Sequence, residues 1–565
     1  MGEIVAMESN IPYLHRTQTS QQLNVDGAPY LMLDGEVQNS QFTSASYMKS
    51  VWPRLKAANL NTVFGSVTWE QIEPTEGDFQ FGELDQTIRG AREHGLRLVL
   101  LWFGSFKNGL STYTPAWVKQ NPKRCPRAEI GTKDGKKKMG DVVSIFGAEA
   151  QRADGKAFSA FMRHIRAIDE EHATVIMVQV ENEVSLLGDP RDRSPLAEAC
   201  WNQPLPSKLL SKIHNEWNSH NEAFRRNFGE LETTELSRIK TWDDMPGKRV
   251  FVEELFMAYH YSLYVEGIAA AGKESYPLPL YTNVWQNYAG DTHDENAPVA
   301  AGGDKPGDYP CGGGVTNVLD IWKTFAPSLD LIAPDIYLND YAASCAAYRH
   351  RGQALLIPEQ RRDEYGARRI WTAPGSYQCI GTAPFGIDTL SLPDNPFRRH
   401  YALLKSVKTY VLEAQARTDG CIGFFFDEIR EDGSDPSLPV SARFGSWDLV
   451  IERSFVFGRP AAGSGIVIHK GKNEFLLIGW GFQVSFTSTD PQTCFNGLLR
   501  FEEKEVDVAS GALRTLRLLN GDETRSGQFA IMPSEDPDYG GFPISITIPA
   551  NTGIAVVEPY ALTAE

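Results

Sequence analysis

The sequence predicts an α/β domain of parallel strands and helices, followed by an all-β domain. From about residue 25 to 420, short apolar runs alternate with helical patterns, which is typical of parallel strands joined by crossover helices. From about residue 440, apolar and polar residues alternate and turn residues recur, as they do in antiparallel sheets. The composition fits a folded globular chain, because 42% of the 565 residues are hydrophobic.

The first region contains eight apolar runs, and each is interpreted as one strand. They are residues 29–37, 60–69, 96–104, 174–182, 278–285, 329–337, 354–360 and 379–388. Helical patterns lie between them, for example at 48–60, 158–172 and 250–272. Eight strands in this alternation predict a (β/α)8 TIM barrel. An open doubly wound sheet is the alternative, but residues 34–41 lack the glycine-rich phosphate loop usual after its first strand.

The changes of pattern along the chain predict three parts. They are an N-terminal extension at 1–24, the barrel at 25–425 and a C-terminal antiparallel β-sandwich at 426–565. Long insertions follow the third, fourth and fifth strands, at 105–150, 184–250 and 286–314. Loops in these positions project from the carboxyl face of a barrel, where active sites form. Such insertions favour a closed pocket over an open groove.

Charge and composition narrow the classes of partner. The net charge of −17 argues against nucleic acid as a partner, and no apolar stretch reaches the length of a membrane span. The seven cysteines are scattered and do not have metal-site or disulfide-framework spacing. We therefore expect no metal and no cofactor. No secretion signal is found at the start, so a cytoplasmic location is expected, with a secreted form whose signal was trimmed left open. The oligomeric state is not indicated.

Two glutamates stand where the predicted strands end. Asn182 and Glu183 follow the fourth run, and Glu359 ends the seventh. Polar residues would be costly inside a barrel core, so we expect them at its rim. Two carboxyl groups facing each other across a barrel mouth are the equipment of a glycosidase: one protonates the leaving oxygen, and the other attacks the anomeric carbon or activates a water. Either glutamate alone is equally well explained as a rim salt bridge or a helix cap.

The motifs around these glutamates resemble a known clan. The string QVENEV at 179–184, followed by IPE at 357–359, is similar to the retaining (β/α)8 glycosidases, in which an Asn-Glu pair ends strand four and a glutamate ends strand seven. The full string is similar to glycoside hydrolase family 35, the β-galactosidases. Segments 35–42, 69–81 and 381–388 extend this similarity. The C-terminal segment NEFLLIGWGFQVSFT resembles the β-domain of a microbial and fungal β-galactosidase-like subgroup.

The resemblance implies roles for individual residues. Glu183 is the acid/base, Glu359 the nucleophile, and Asn182 bonds the 2-hydroxyl of the sugar, with the two carboxyl groups about 5–5.5 Å apart. The predicted function is a retaining exo-β-glycosidase, first of all a β-galactosidase that acts on an oligosaccharide or glycoside. Two alternatives stay open: the same mechanism on a β-glucoside or an α-L-arabinopyranoside, and a non-catalytic carbohydrate-binding protein on this fold.

One segment departs from the family pattern. Members typically end strand three with a PYxCAEW-like segment that holds the O4 and O6 side of the sugar, whereas this chain has Trp102 to Asn108 there. Lys107 and Asn108 bond sugar hydroxyls or belong to a solvated loop. The sugar specificity is therefore tied to this segment.

Other side chains near strand ends are candidates for binding sugar. An aromatic ring can stack on the C–H face of a pyranose, and Tyr337 can also donate to Glu359. Glu181 holds a hydroxyl or neutralises an arginine, and Glu36 and Asn39 reach a hydroxyl or hold the barrel rim. The predicted substrate-binding residues are Asn182, Glu181, Tyr337, Trp102, Asn283, Trp285, Trp371 and Lys107.

Overall fold

The computed structural model describes residues 11–132, 134–287, 303, 305–454, 460–534 and 551–564. The strands before residue 400 are β1 (Tyr13–Arg16), β2 (Gln21–Val25), β3 (Ala28–Pro29), β4 (Thr62–Thr68), β5 (Arg97–Phe103), β6 (Arg127–Gly131), β7 (Lys137–Val143), β8 (Val175–Val180), β9 (Leu280–Trp285), β10 (Leu331–Asp335), β11 (Leu355–Gln360) and β12 (Cys379–Pro384). The helices are α1 (Ala45–Ala57), α2 (Trp69–Ile72), α3 (Gly82–Glu93), α4 (Ala116–Lys119), α5 (Ala148–Asp169), α6 (Pro195–Trp201), α7 (Ser207–Asn215), α8 (Glu222–Asn227), α9 (Arg249–Ser275), α10 (Leu319–Phe325), α11 (Tyr341–Tyr348), α12 (Glu364–Arg369), α13 (Thr372–Tyr377) and α14 (Phe397–Gln415).

Two parallel sheets lie in the first part of the chain, between residues 62 and 384. One has the strand order β10-β9-β8-β5-β4, and the other pairs β11 with β12. Parallel bridges join them on both sides. Ile336 bridges to Gln360, while Glu36 bridges to both Phe64 and Phe385. The carboxyl ends of all these strands therefore meet on one face.

The first predicted strand, 29–37, differs from the other seven. It is extended, but side chains replace part of its hydrogen-bond ladder. Asn61 Oδ1 accepts from the amide of Leu33 at 2.8 Å, and Asp34 Oδ1 accepts from the amide of Thr382 at 2.9 Å. Pro29 at its start pairs with Asn24 of β2, and Glu36 forms bridges to Phe64 and Phe385. The prediction of an extended segment is right, and that of a continuous strand is wrong.

Alternation along the parallel strands separates two cores. Phe64, Leu101, Tyr281 and Leu331 belong to a small apolar cluster enclosed by the strands. Their neighbours in sequence belong to the larger cluster beneath the helices. Successive side chains of a strand point to opposite faces, so the parity of each position decides whether it faces the enclosed interior.

The insertions after β5 and β8 are tied together by buried carboxylates. Asp189 Oδ2 accepts from the amide of Gly131 at 2.7 Å. Asp192 accepts from the amide of Glu129 at 3.0 Å and from the hydroxyl of Ser144 at 2.6 Å. Of the third predicted insertion, 286–314, residues 288–302 and 304 lie outside the described residues.

The N-terminal strands β1 to β3 form an antiparallel sheet. Leu23 and Val25 belong to the enclosed apolar cluster, and Thr19 Oγ1 donates to the carbonyl of Gln415 at the end of α14. This segment therefore packs against the parallel strands.

The C-terminal part of the chain contains two antiparallel sheets, with strand orders β13-β16-β17-β22-β19-β20 and β14-β15-β18-β21. Phe424 and Phe475 of the first sheet share one apolar core with Trp447 and Phe482 of the second. The strands are β13 (Cys421–Phe426), β14 (Val440–Phe444), β15 (Trp447–Arg453), β16 (Gly463–Gly471), β17 (Glu474–Trp480), β18 (Phe482–Ser488), β19 (Thr493–Val506), β20 (Leu513–Leu518), β21 (Ala530–Met532) and β22 (Ile554–Thr563).

The C-terminal sheets contact the first part of the chain through α12 and α13. Arg369 donates to Asp427 at 2.7 Å, and the rings of Trp371 and Trp480 meet edge to face at 6.2 Å. None of the helices in the described parts of the chain is long and apolar enough to cross a membrane.

Candidate active site

The chain turns sharply after β8, and this turn carries Glu183. Glu181 and Glu183 both adopt left-handed backbone conformations, with φ of 62° and 47°. Such residues cost about 1–3 kcal/mol each and persist where the surroundings enforce them. The carboxylate of Glu181 accepts from the amides of Ser105 at 3.1 Å and Phe106 at 2.7 Å. The amide of Glu183 donates to Asn283 Oδ1 at 2.9 Å. Neighbouring elements therefore hold both ends of the turn.

Asn283 of β9 connects the carboxyl groups. Its Nδ2 donates to Asp335 Oδ2 at 2.8 Å and to Glu359 Oε1 at 3.4 Å, while its Oδ1 accepts from the amide of Glu183. One side chain thus contacts the ends of β8, β10 and β11. The sequence predicts Asn283 as a substrate ligand, and the structure places it among the carboxyl groups as their common hydrogen-bond partner.

Glu359 receives a second donor from the end of β10. Tyr337 Oη donates to Glu359 Oε2 at 2.7 Å, in the geometry that the sequence predicts. With Asn283 on the other oxygen, both oxygens of this carboxylate are held. Glu359 is 7% exposed and Glu183 8% exposed, so each keeps a small open surface.

Glu183 and Asp335 are connected through Asn283, which accepts from the amide of Glu183 and donates to the carboxylate of Asp335. Burial and the charge of Glu359 raise the pKa of Glu183 to about 7. Burial and the same charge raise the pKa of Asp335 well above its usual value. A proton is therefore held at Glu183 near neutral pH, where a general acid needs one.

Lys107 is the cation of this cluster. It occupies a tight turn in which its amide donates to the carbonyl of Leu110 at 2.8 Å, and its Nζ lies 4.8 Å from the centre of the Phe103 ring. Burial opposes the charge of Lys107, but the surrounding carboxyl groups, Glu359 foremost, outweigh burial and raise its pKa. The sequence leaves Lys107 open between sugar ligand and solvated loop, and the structure places it beside the carboxyl groups.

Glu36 adds another carboxyl group to the cluster. It is 1% exposed, and neither side-chain oxygen has a hydrogen-bond partner among the described residues. Burial first, and then the charge of Glu359, raise its pKa well above the usual value, while Lys107 opposes that shift. The sequence leaves Glu36 open between hydroxyl ligand and barrel rim. Its inward parity, shared with Met32 at the start of the same extended segment, is the signal that places it.

The structure corrects the prediction for Trp102. It is fully buried on the outward face of β5, where it packs on Phe158 and Phe161 of α5. Its Nε1 donates to Asp154 at 2.9 Å. Phe103, one position later, belongs to the strand face that meets Lys107. The alternation of strand side chains is the physical reason, because adjacent residues cannot share a face.

Glu181 and Trp371 also lie apart from the open carboxyl groups. Glu181 is fully buried, and its carboxylate accepts from the amides of Ser105 and Phe106, so it holds the 105–106 loop rather than a sugar. Trp371 is fully buried, and its Nε1 donates to His400 at 2.8 Å, where the first part of the chain contacts the C-terminal sheets. The prediction that Glu181 and Trp371 bind substrate is therefore wrong.

Asn182 and Trp285 remain as candidate ligands. The Nδ2 of Asn182 and the Nε1 of Trp285 are buried donors for which the described part of the chain supplies no acceptor. Buried donors are normally paired, so groups outside the described residues are needed to satisfy them. Sugar hydroxyls supply acceptors of the right kind. No group of histidine, cysteine and acidic side chains suited to a metal is found among the described residues.

Two family profiles match this chain. One, described as a β-galactosidase family (glycoside hydrolase family 42), matches residues 40–252. The other, a domain of unknown function (DUF5597), matches residues 397–531. Each covers less than half of the chain. A search of curated protein sequences found no match.

Solved structures give distant similarities. A catalytic mutant of a GH42 β-galactosidase from G. stearothermophilus is 17% identical, with a TM-score of 0.42, over 68% of this chain and 57% of that chain. The β-galactosidase from Bacillus circulans sp. alkalophilus is 13% identical, with a TM-score of 0.44, over 68% and 57% of the two chains. The β-galactosidase from the psychrophilic Marinomonas ef1 is 12% identical, with a TM-score of 0.44, over 68% and 61%. This chain spans less than two thirds of the length of each.

The profile match changes the family that the motifs indicate. It is to family 42 and not to family 35, so the family 35 assignment is not supported. A relation to the clan of glycosidases that holds an Asn-Glu pair on strand four is supported. The matched residues include the Asn182-Glu183 pair.

Proposed function

We propose that this chain is a retaining exo-β-glycosidase that removes terminal β-galactosyl residues from an oligosaccharide or glycoside. The observation that carries the proposal is the pair of carboxyl groups at the ends of β8 and β11. Glu359 is held by Tyr337 at 2.7 Å, and Glu183 lies within its electrostatic influence with a raised pKa. The family 42 match over residues 40–252 supports the same class of reaction.

In the first step, Glu359 is the nucleophile and Glu183 the acid. Glu359 attacks the anomeric carbon, a carbon–oxygen bond forms to its carboxylate, and the glycosidic bond breaks. The leaving oxygen takes the proton of Glu183. The hydrogen bonds from Tyr337 and Asn283 fix the orientation of the attacking carboxylate.

In the second step, Glu183 acts as the base. The charge of Glu359 is lost when its ester forms, which removes one of the two effects that raise the pKa of Glu183. Glu183 then accepts a proton from water, and the water oxygen attacks the anomeric carbon. The ester bond breaks, Glu359 regains its charge, and Glu183 is again protonated.

The fold proposed for this mechanism is a (β/α)8 barrel over 25–425, with a β-sandwich over 426–565. Parallel bridges on both sides of the two parallel sheets support the barrel, and the core shared by the two antiparallel sheets supports the sandwich. The extension at 1–24 and a cytoplasmic location stay predictions from the sequence.

The test is a panel of p-nitrophenyl glycosides: β-galactoside, β-glucoside and α-L-arabinopyranoside. We expect the β-galactoside to give the highest kcat/KM, and Glu359→Gln to lower kcat by roughly 10³-fold or more while sugar affinity remains. Glu254→Gln is the matched control. Glu254 is also fully buried, with a pKa raised by burial to about 7. It lies on α9, however, and its oxygens accept from Tyr309 and Asn317.

A higher rate on another sugar would keep the mechanism and change the glycone. Equal losses in Glu359→Gln and Glu254→Gln would argue against the nucleophile. If the whole panel is silent but sugars bind, the chain is a carbohydrate-binding protein.

A further inference from the structure

The buried carboxyl groups of this molecule differ in how their oxygens are satisfied. Both oxygens of Glu181 and both of Glu254 accept hydrogen bonds from described residues. Glu36 is as deeply buried, yet no described residue donates a hydrogen bond to either of its oxygens. A buried polar group without a partner is costly, and such groups in native proteins mark functional positions or bound ligands.

Both backbone groups of Glu36 are fixed by the segment 384–387. Its amide donates to the carbonyl of Pro384 at 3.0 Å, and its carbonyl accepts from the amides of Gly386 and Ile387 at 2.8 and 3.1 Å. A rotation of the whole segment toward other donors would break these bonds. The fold therefore holds the Glu36 carboxyl group where no described residue donates a hydrogen bond to it.

Among the described residues, Lys107 has ammonium donors without acceptors, whereas Glu36 has carboxyl acceptors without donors. Within the described part of the chain its ammonium contacts the Phe103 ring at 4.8 Å, and it interacts with Glu36 and Glu359 through charge. No hydrogen bond or close ion pair of this ammonium is found there. An ammonium has three donors and no acceptor, whereas a carboxylate has acceptors only.

We propose that Glu36 and Lys107 together bind one hydroxyl group of the glycone, so that this pair decides which sugars the site accepts. A hydroxyl donates one hydrogen and accepts another, so a hydroxyl between the two side chains gives each what it lacks. The inference rests on the proposed glycosidase function and assigns specificity to Glu36 of the extended segment 29–37 and Lys107 of the loop after β5, which share the cluster with the reacting carboxyl groups.

The loop behind Lys107 is rigid enough for this role. Asp154 Oδ2 accepts from the amide and the hydroxyl of Ser105 at 2.8 and 2.6 Å, and the Glu181 carboxylate holds the amide of Phe106. A Cβ on Gly104 would lie 2.6 Å from Asp154. The turn that bears Lys107 is therefore anchored from the core side.

The test combines two substitutions with one parent substrate and a series of its analogues. The substrates are the p-nitrophenyl glycoside that the wild type prefers and its series of monodeoxy analogues, each lacking one hydroxyl. We expect Glu36→Gln and Lys107→Met each to lower kcat/KM on the parent glycoside by roughly 10- to 100-fold, the size of a hydrogen bond to a charged group. For one deoxy analogue the same substitutions should change kcat/KM by less than about 3-fold.

Controls separate recognition from misfolding. Glu254→Gln should lower kcat/KM equally for the parent and every deoxy analogue, or not at all. Lys107→Arg should recover part of the loss, because it keeps the charge and the donors. Thermal unfolding shows whether each variant is folded at the assay temperature.

Three outcomes overturn the inference. They are unchanged kcat/KM in both variants, equal losses across all deoxy analogues, and discrimination by Glu36→Gln at a different hydroxyl from Lys107→Met. If the wild type hydrolyses no glycoside, the proposed function fails, and titration calorimetry with galactose, glucose and arabinose decides this inference instead. Loss of binding of one sugar in both variants supports it, and no sugar binding to the wild type overturns it.

Discussion

Asp335 and Asp320 are both buried aspartates, yet their surroundings are opposite. Asp320 accepts from the amide and side chain of Asn221 at 2.9 and 2.8 Å, and Arg351 lies 3.0 Å away. Hydrogen bonds from His220, His350 and the amide of Asn221 hold the pKa of Asp320 well below its usual value despite burial. Asp335 is surrounded by carboxyl groups, and burial together with their charge raises its pKa.

The comparison shows that burial by itself does not mark a site in this molecule. At Asp320 the neighbours complete every bond, so the carboxylate stabilises the insertion at 184–250 against α10. At the ends of β8, β10 and β11 the neighbours leave donors and acceptors open. Perturbed pKa values together with open hydrogen-bond groups indicate chemistry, whereas lowered pKa values with full pairing indicate structure.

The largest expected effect concerns the carboxyl groups at the strand ends, which the comparison assigns to catalysis. Glu183→Ala should slow glycosides with poor leaving groups by about 10²- to 10⁴-fold, because they need the proton. Aryl glycosides with acidic leaving groups should lose much less in the glycosylation step. A series of aryl glycosides of increasing leaving-group pKa measures this dependence. Equal losses along the series would contradict the acid role.

For Asp320, the comparison predicts that a substitution lowers the free energy of unfolding and leaves kcat nearly unchanged. Asp320→Ala leaves Arg351 without its buried partner, so the free energy of unfolding should fall by about 3 kcal/mol. Denaturant unfolding measures that change. We expect kcat on the preferred glycoside to stay within about 2-fold of the wild type at a temperature where the variant is folded. A large fall in kcat with unchanged stability would remove the distinction between the two aspartates.

The pH dependence tests the charge balance around Glu183. With its pKa at about 7, the proton that the acid must donate is lost as pH rises, so kcat/KM should fall above about pH 7. Lys107 lowers this pKa, because a positive charge favours the ionised carboxylate. Lys107→Met should therefore move the alkaline fall to higher pH. A shift to lower pH would contradict the placement of the ammonium beside Glu183.

The smallest effect compares two tryptophans on opposite faces of their strands. Trp285→Phe should weaken substrate binding several-fold, about 1 kcal/mol, because it removes an open donor near the carboxyl groups. Trp102→Phe removes a bond to Asp154 and should lower stability by about 1 kcal/mol while KM stays the same. Initial-rate kinetics and thermal unfolding of both variants distinguish these outcomes. The reverse pattern would restore Trp102 as a ligand.

Much of the site could be predicted because strand ends are visible in the sequence. Glu183, Glu359 and Tyr337 stand directly after apolar runs, and parallel strands bring their carboxyl ends to one face. The prediction fails for Trp102 because nearness to a strand end does not state which face a side chain occupies. Parity along the strand, counted from residues such as Leu101 and Phe103, would have placed it outward.

The sequence by itself determined the alternation of strands and helices, the change to antiparallel strands and the positions of the two central glutamates. These follow from local periodicity, which a chain carries in its own order of residues. Only the tertiary structure decided that Asn283 connects three strand ends, that Glu181 is occupied by the 105–106 loop and that Glu36 and Lys107 interact through charge without hydrogen-bond partners among the described residues. Those outcomes depend on hydrogen bonds between residues far apart in the chain, and a side chain's partners are fixed only when the strands that carry them are packed together.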